Sequence, residues 1–209
     1  MKRKLIVCFA GIDGSGKTTV AKALYNSLCD AGISSHYMWC GWRGFESWLF
    51  KPVTAPTKNA LVRRGDEEQV ASAHLRVPFF DYFVWLDYFV RVYPALVISL
   101  IKNDVLVVDR YVYDVIMGLS VHEKKSNRFV FKLLKLFPQP SLVFFIDVPV
   151  ELAYARKDDI PSLEFLRERD GETRQLLKQL PGKVITLDGT HSASEIAAEA
   201  LAVVRGQIT

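Results

Sequence analysis

The sequence predicts an α/β domain built on a parallel sheet with helices on both faces, and three observations carry that prediction. Short apolar or β-branched runs alternate with helical stretches along all 209 residues, the order that right-handed crossovers between parallel strands produce. The first run ends on a glycine-rich loop. Three of the later runs end on an acid, at Asp109, Asp147 and Asp188, as suits a sheet whose ligand sits at the carboxyl ends of its strands.

The runs are Leu5 to Phe9, Ser35 to Trp39, Val105 to Asp109, Leu142 to Asp147 and Val184 to Asp188. A first helix is expected from Lys17 to about Asp30, stopped by Gly32, the residue type favoured just past a helix end. A last helix begins where Ser192 stands three positions ahead of Glu195, a capping box, and runs through an alanine-rich stretch toward Arg205. The segment Phe79 to Ile101 is long and apolar, yet it carries Asp81, Asp87 and Arg91. Each of these costs about 2.5–3.5 kcal/mol near a bilayer centre, so the segment reads as a buried helix pair or a broken helix, with no membrane partner.

Half of the residues are apolar, enough for one domain over 1–209 and too few for two comfortable ones. A formal charge of +4 is too mild to argue for a nucleic-acid surface and suits a site that gathers small polyanions. Cys8, Cys29 and Cys40 form no C-x-x-C and share no ligand spacing with His36, His74, His122 or His191. No disulfide framework or zinc site is supported, and a reduced cytoplasm fits. Met1-Lys2-Arg3-Lys4 before an apolar run faintly imitates an export signal, but cleavage there would destroy the glycine loop, so export is rejected.

That loop, Gly11-Ile12-Asp13-Gly14-Ser15-Gly16-Lys17-Thr18, fits G-x-x-x-x-G-K-[ST] at every fixed position. Its glycines let consecutive N–H groups turn toward one anion at a helix N-terminus. Lys17 reaches the outer phosphates of a nucleoside triphosphate, and the Thr18 hydroxyl can hold Mg²⁺. Asp13, inside the loop, either faces a phosphate acceptor or shapes the loop as an Asx-type turn. Val105-Leu106-Val107-Val108-Asp109 is the pattern that brings a second carboxylate to such a metal, or a strand-end acid that caps a turn. Arg110 after it can hold an anionic acceptor or join a surface ion pair.

Phe80, Phe83, Asp87 and Arg91 recur at helical spacing, with Phe83, Asp87 and Arg91 on one face. An aromatic stacking a base with an arginine near its phosphate would look like this, and so would a core helix with a surface ion pair. From Leu152 to Lys178 the chain is rich in charge, with Arg156, Lys157, Arg167, Arg169 and Arg174 among its bases. Such a stretch is either a solvated helix face or a basic lid that closes on the nucleotide, and Arg156 is its best single candidate.

Taken together these pieces resemble the thymidylate kinases, within the nucleoside monophosphate kinases. The matching stretches are Phe9-Ala10-Gly11 through Lys17-Thr18-Thr19, Val107-Val108-Asp109-Arg110-Tyr111, and Phe145-Ile146-Asp147-Val148-Pro149 leading into the basic segment. The resemblance implies a three-layer P-loop NTPase fold, a five-stranded sheet in order 2-3-1-4-5, and transfer of the ATP γ-phosphoryl to dTMP with Mg²⁺. Gly11, Asp13, Gly14, Ser15, Gly16, Lys17, Thr18 and Thr19 would then surround ATP. Thr190, in the loop Leu187 to His191, would approach adenine. Thr18 and Asp109 would form the metal shell. Asp13, Arg43, Phe80, Phe83, Arg91, Arg110 and Tyr111 would form the acceptor side. Lys17, Asp13, Arg110 and Arg156 would carry catalysis, the lid supplying the arginine because Ser15 stands where one subclass has arginine in the loop. Members of the family commonly form homodimers.

The acceptor side departs from the family pattern. Where an Arg-x-Pro-Gly-Gly-Thr loop is usual, the chain has Trp39-Cys40-Gly41-Trp42-Arg43-Gly44-Phe45, with Arg43 as the remaining equivalent. Asp81 stands where the third helix usually has arginine, and a short insertion would let Arg91 take that role. Two alternatives therefore stay open beside a nucleotide acceptor. One is a kinase of a nucleoside, sugar or other metabolite, which would need Asp13 or Asp109 as a base. The other is a nucleotide-dependent switch or ATPase.

Overall fold

The computed structural model describes residues 4–41, 80–113, 136–180 and 182–208, and of residues 80–85 and 87 the backbone alone. Five strands form one parallel sheet: β1 (Leu5–Ala10), β2 (Ser35–Trp39), β3 (Val105–Asp109), β4 (Leu142–Asp147) and β5 (Lys183–Asp188). Their order is β2-β3-β1-β4-β5. Sequence reading placed each strand within one residue of these bounds. Among the described residues the helices are α1 (Lys17–Asp30), α2 (Phe80–Lys102), α3 (Val150–Ala155), α4 (Leu163–Leu177) and α5 (Ala193–Ile208).

The central strands β1, β3 and β4 are continuous apolar runs because alternate residues feed two cores. Leu5, Val7 and Phe9 of β1, with Val105 and Val107 of β3, meet Val20, Leu24 and Leu28 of α1 and Ile196, Ala200 and Val204 of α5. Ile6 and Cys8, with Leu106 and Val108, meet Tyr88, Val92 and Leu96 of α2 and Leu176 of α4. Burial on both faces is the property of a parallel sheet covered by helices on each side.

One expectation is corrected. The segment expected as a helix pair or a broken helix forms a single helix, Phe80–Lys102, that runs through Pro94. Proline removes one donor and frees the carbonyl four residues back, but Pro94 and Val90 are both exposed, so water can take that carbonyl. The opposite face is anchored by Tyr88, Val92 and Leu96 in the core. Among the described residues no helix is long and apolar enough to cross a membrane.

A third, smaller cluster matters for the site. Ile12 of the glycine loop packs with Val148 after β4, Ala153 of α3, Ile160 of the α3–α4 link and Leu166 of α4. The charged segment is thereby fastened to the loop that it follows by some 140 residues in the chain.

Candidate active site

Register places the site. Phe9 of β1 pairs with Asp109 of β3, and Trp39 of β2 also pairs with Asp109. The glycine loop, which begins two residues after Phe9, and the Asp109-Arg110 step therefore leave the same edge of adjacent central strands.

The loop enters α1 through Gly16, which caps the helix in the left-handed region at φ 89°, with no side-chain cap and no acid in the first turn. The first N–H groups of α1 thus meet no capping side chain, an arrangement that favours an external anion. Gly14, at φ 82°, is required twice over, since a Cβ there would collide with the backbone carbonyl of Ala153. Lys17 is buried, and its Nζ donates to the carbonyls of Gly11 at 2.7 Å and Ile12 at 2.6 Å. Its charge is thus held at the loop. Thr18 and Thr19 are exposed on the first turn of α1, and Ser15 is buried.

Arg110 has a left-handed backbone, φ 61°, a conformation costly for a non-glycine residue and most often retained at functional sites. Its Nη2 lies 2.6 Å from Asp13 Oδ1, both side chains being partly exposed. Burial works against the Asp13 carboxylate, but Lys17, then Arg110, then Lys157 outweigh it and hold the carboxyl below its ordinary value. Asp13 is therefore an ionised, ion-paired group rather than an Asx-type turn alone.

The three strand-end acids, alike in sequence, differ in the structure. Asp147 is clamped by Arg174 at 2.5 Å. Asp188 Oδ1 accepts from Thr190 N at 2.9 Å and Thr190 Oγ1 at 2.6 Å. Asp109 is fully buried; the Tyr37 hydroxyl donates to its Oδ2 at 2.9 Å, and its Oδ1 has no hydrogen-bond partner. A buried carboxylate oxygen without a donor is costly and calls for a cation or water. Asp109 lies on the α1-facing side of the sheet, in line with Val105 and Val107. The carboxylate of Asp109 and the hydroxyl of Thr18 are hard oxygens of the kind Mg²⁺ takes, and that ion needs only one or two protein oxygens beside substrate phosphates. Among the described residues no group of three or more His, Cys, Asp or Glu side chains can hold a metal ion.

Other expected residues fall in different places. Tyr111 is completely buried, and its hydroxyl donates to the Pro138 carbonyl. The structure places its side chain in the core, in the cluster with Cys8, Cys40 and Tyr113. Arg91 is exposed on α2 near the end of β2. Its charge reaches the buried Cys40 thiol, which burial pushes up to about 12 despite Arg91 and with a further push from Asp109. Arg43 lies outside the described residues, as do Trp42, Phe45, Phe79, His74 and His122, and the side chains of Phe80, Asp81, Phe83 and Asp87 are not described. Arg156 caps α3, and its Nη1 donates to the Gly189 carbonyl at 3.2 Å, joining the charged segment to the β5–α5 loop beside Thr190.

Most bases of the charged segment are held in surface ion pairs: Lys157 with Asp159, Arg167 with Glu151, Arg169 with Glu172, and Arg174 with Asp170 and Asp147. Two residues stand out beside these pairs. Lys157, next to Arg156, has its charge felt at Asp13, and Tyr37 holds Asp109. Lys157 was legible only as one base among several; nothing in the sequence marks Tyr37, because its contact depends on β2 lying beside β3.

A five-stranded parallel sheet in this order, with a G-x-x-x-x-G-K-[ST] loop leaving its central strand into a helix N-terminus, defines a P-loop NTPase fold of the nucleotide kinase class. No family model matches the chain. It is similar to the thymidylate kinase of Leptospira interrogans, 27% identical over 209 residues that cover 97% of this chain and 94% of that protein. It is also similar to the thymidylate kinase of Leptospira borgpetersenii, 25% identical with 97% and 94% covered. The probable thymidylate kinase of Sulfolobus acidocaldarius is 25% identical with 95% of each chain covered. Over nearly its whole length the chain is similar to thymidylate kinases, and that similarity supports a kinase enzyme.

Proposed function

We propose that the protein transfers the γ-phosphoryl of ATP to a nucleoside monophosphate, dTMP being the preferred acceptor, to give ADP and dTDP. The observation that carries this reading is the convergence of the uncapped α1 N-terminus, Lys17 and the Asp13–Arg110 pair at one sheet edge. An acceptor phosphate oxygen attacks the γ-phosphorus as the bond to the β–γ bridging oxygen breaks, and that oxygen leaves on ADP. Such an acceptor is already ionised near neutral pH, so positioning and charge neutralisation suffice.

In this reading the loop amides and Lys17 bind the ATP phosphates, and Gly11, Gly14, Ser15 and Gly16 let the backbone approach them. Arg110 orients the acceptor against Asp13, while Arg43 and Arg91, with Phe80 and Phe83, bind it. Thr18 and Asp109 hold Mg²⁺, which when bound supplies charge neutralisation at the phosphates. The 156–162 link acts as the lid: Arg156, tied to the β5–α5 loop, steadies the nucleotide near Thr190, and Lys157 adds charge beside Asp13. Lys157→Ala then lowers kcat more than it raises KM for ATP, and Arg156→Ala shows the opposite split.

The chain is proposed to act in the cytoplasm, where its free thiols Cys8, Cys29 and Cys40 stay reduced. It is also proposed to act as a homodimer, joined through the exposed apolar stripe Leu86, Val90, Ile98 and Ile101 of α2. Light scattering that gives a monomer at micromolar concentration removes the dimer.

A second reading is kept for one reason. The loop after β2 departs from the family pattern, with Gly41 packed so closely on the Trp39 ring that a Cβ would collide with it. A hydroxyl acceptor would require a base, and the ion-paired Asp13, held below its ordinary value, is poorly suited to that task. The deciding experiment supplies MgATP with a panel of nucleoside monophosphates, nucleosides and sugars, and follows ADP release and product mass. Formation of dTDP supports the first reading, a phosphorylated nucleoside or sugar the second, and ADP release without any acceptor defeats both.

A further inference from the structure

We infer that Tyr37 is a positioning residue for Asp109, presenting Oδ1 of that carboxylate as the oxygen left for a divalent cation. This inference rests on the metal reading proposed above and assigns it a residue outside the loop and the strand-end acid.

The geometry is specific. Tyr37 and Trp39 of β2 pair with Val107 and Asp109 of β3, so Tyr37 and Asp109 are diagonal neighbours on one face of the sheet, within reach of a long side chain. The phenol donates 2.9 Å to Oδ2, while Oδ1 is buried without a hydrogen-bond partner. One oxygen is thereby occupied and the other left over. The ring itself is fixed by its surroundings. Tyr25 lies 6.2 Å away between centroids, and the Lys22 ammonium stands over the Tyr37 face at 5.9 Å. Both neighbours belong to α1, the helix whose first turn carries Thr18, so α1 ties the Tyr37–Asp109 pair to the other proposed metal oxygen.

The phenol is also locked as a donor. A phenol is protonated at neutral pH, so Tyr37 donates a hydrogen bond to the carboxylate and does not compete for the cation. Hydrogen bonds that orient a ligating carboxylate commonly govern metal affinity by 10- to 100-fold. A donor that merely satisfied a buried acid would instead act on stability.

The test is Tyr37→Phe, which keeps the ring and removes the donor, read by calorimetric binding of ADP with excess Mn²⁺ and with EDTA. Positioning predicts that ADP binding in Mn²⁺ weakens roughly tenfold, that binding in EDTA stays within twofold, and that the Mg²⁺ concentration for half-maximal turnover rises in parallel. Equal change in both media, or a lower thermal midpoint with neither changed, overturns the inference. Should Tyr37→Phe fold poorly, the Asp109→Asn background decides: there the added Tyr37→Phe leaves Mn²⁺-dependent binding unaltered if the two residues act as a unit, and a further loss overturns it. A wild-type protein that binds ADP identically in Mn²⁺ and EDTA would remove the metal reading itself, an outcome distinct from a silent Tyr37→Phe.

Discussion

Two helices of this domain start at the same edge of the sheet and end their backbones in opposite ways. Helix α1 enters through a left-handed glycine, with no side-chain cap and no acid in its first turn. Helix α5 closes on itself: Ser192 N donates to Glu195 Oε2 at 3.0 Å, and Glu195 N donates back to Ser192 Oγ at 3.3 Å. The second arrangement satisfies two donors that the first leaves for an anion. Stability has been built into α5 and withheld from α1, so substitutions at the two ends should separate binding from folding.

The largest separation is expected at Lys17. Lys17→Ala removes the one cation held by the loop carbonyls of Gly11 and Ile12 and should lower kcat/KM by about 10³-fold, roughly 4 kcal/mol of transition-state stabilisation. The thermal midpoint should move far less. Steady-state kinetics beside calorimetry check this, and intact turnover would falsify the phosphoryl-transfer site placed here.

Gly14→Ala should come next and mix the two effects. It forces alanine to φ 82° and a methyl group against the Ala153 carbonyl, together costing about 2–4 kcal/mol. For a domain of this size that is a fall of roughly 5–15 °C in the thermal midpoint. Because Ala153 also packs with Ile12, Ile160 and Leu166, nucleotide binding should weaken as well. A variant with normal stability would show that the loop and α3 separate at little cost.

The contrast between the helix ends also explains what was legible beforehand. The capping box and the glycine loop are local patterns, and both appear in the structure at the residues that spell them. The central strands β1, β3 and β4 were legible for a similar reason, since burial on both faces leaves unbroken apolar runs. The site beyond the loop depends on which strands are neighbours. Nothing local separates Asp109 from Asp147 or Asp188, yet one holds an unpaired oxygen, one is clamped by Arg174 and one folds onto Thr190. The burial of Tyr111 is equally non-local: its hydroxyl donates to the Pro138 carbonyl, 27 residues further along the chain.

At the other end, Ser192→Ala should act on folding alone. Loss of an N-cap costs about 1 kcal/mol, a fall of about 2–4 °C, with KM for ATP within roughly twofold of wild type. A large rise in KM would instead tie α5 to the nucleotide through Thr190.

The smallest effect, Glu195→Gln, sharpens the same point through pH. Hydrogen bonds from Ser192 hold the Glu195 carboxyl below its ordinary value. A group with a depressed folded pKa contributes stability that is present above its unfolded pKa, near 4.3, and lost as pH falls through the folded value. Glutamine keeps an acceptor for the Ser192 donors and removes the charge that favours a helix start. The variant should therefore melt slightly below wild type at pH 7, by less than Ser192→Ala, and the gap between the two curves should narrow as pH falls below the unfolded value. A gap that stayed constant through the acid range would assign the capping box to shape rather than charge. The uncapped start of α1 would then differ from α5 in geometry alone.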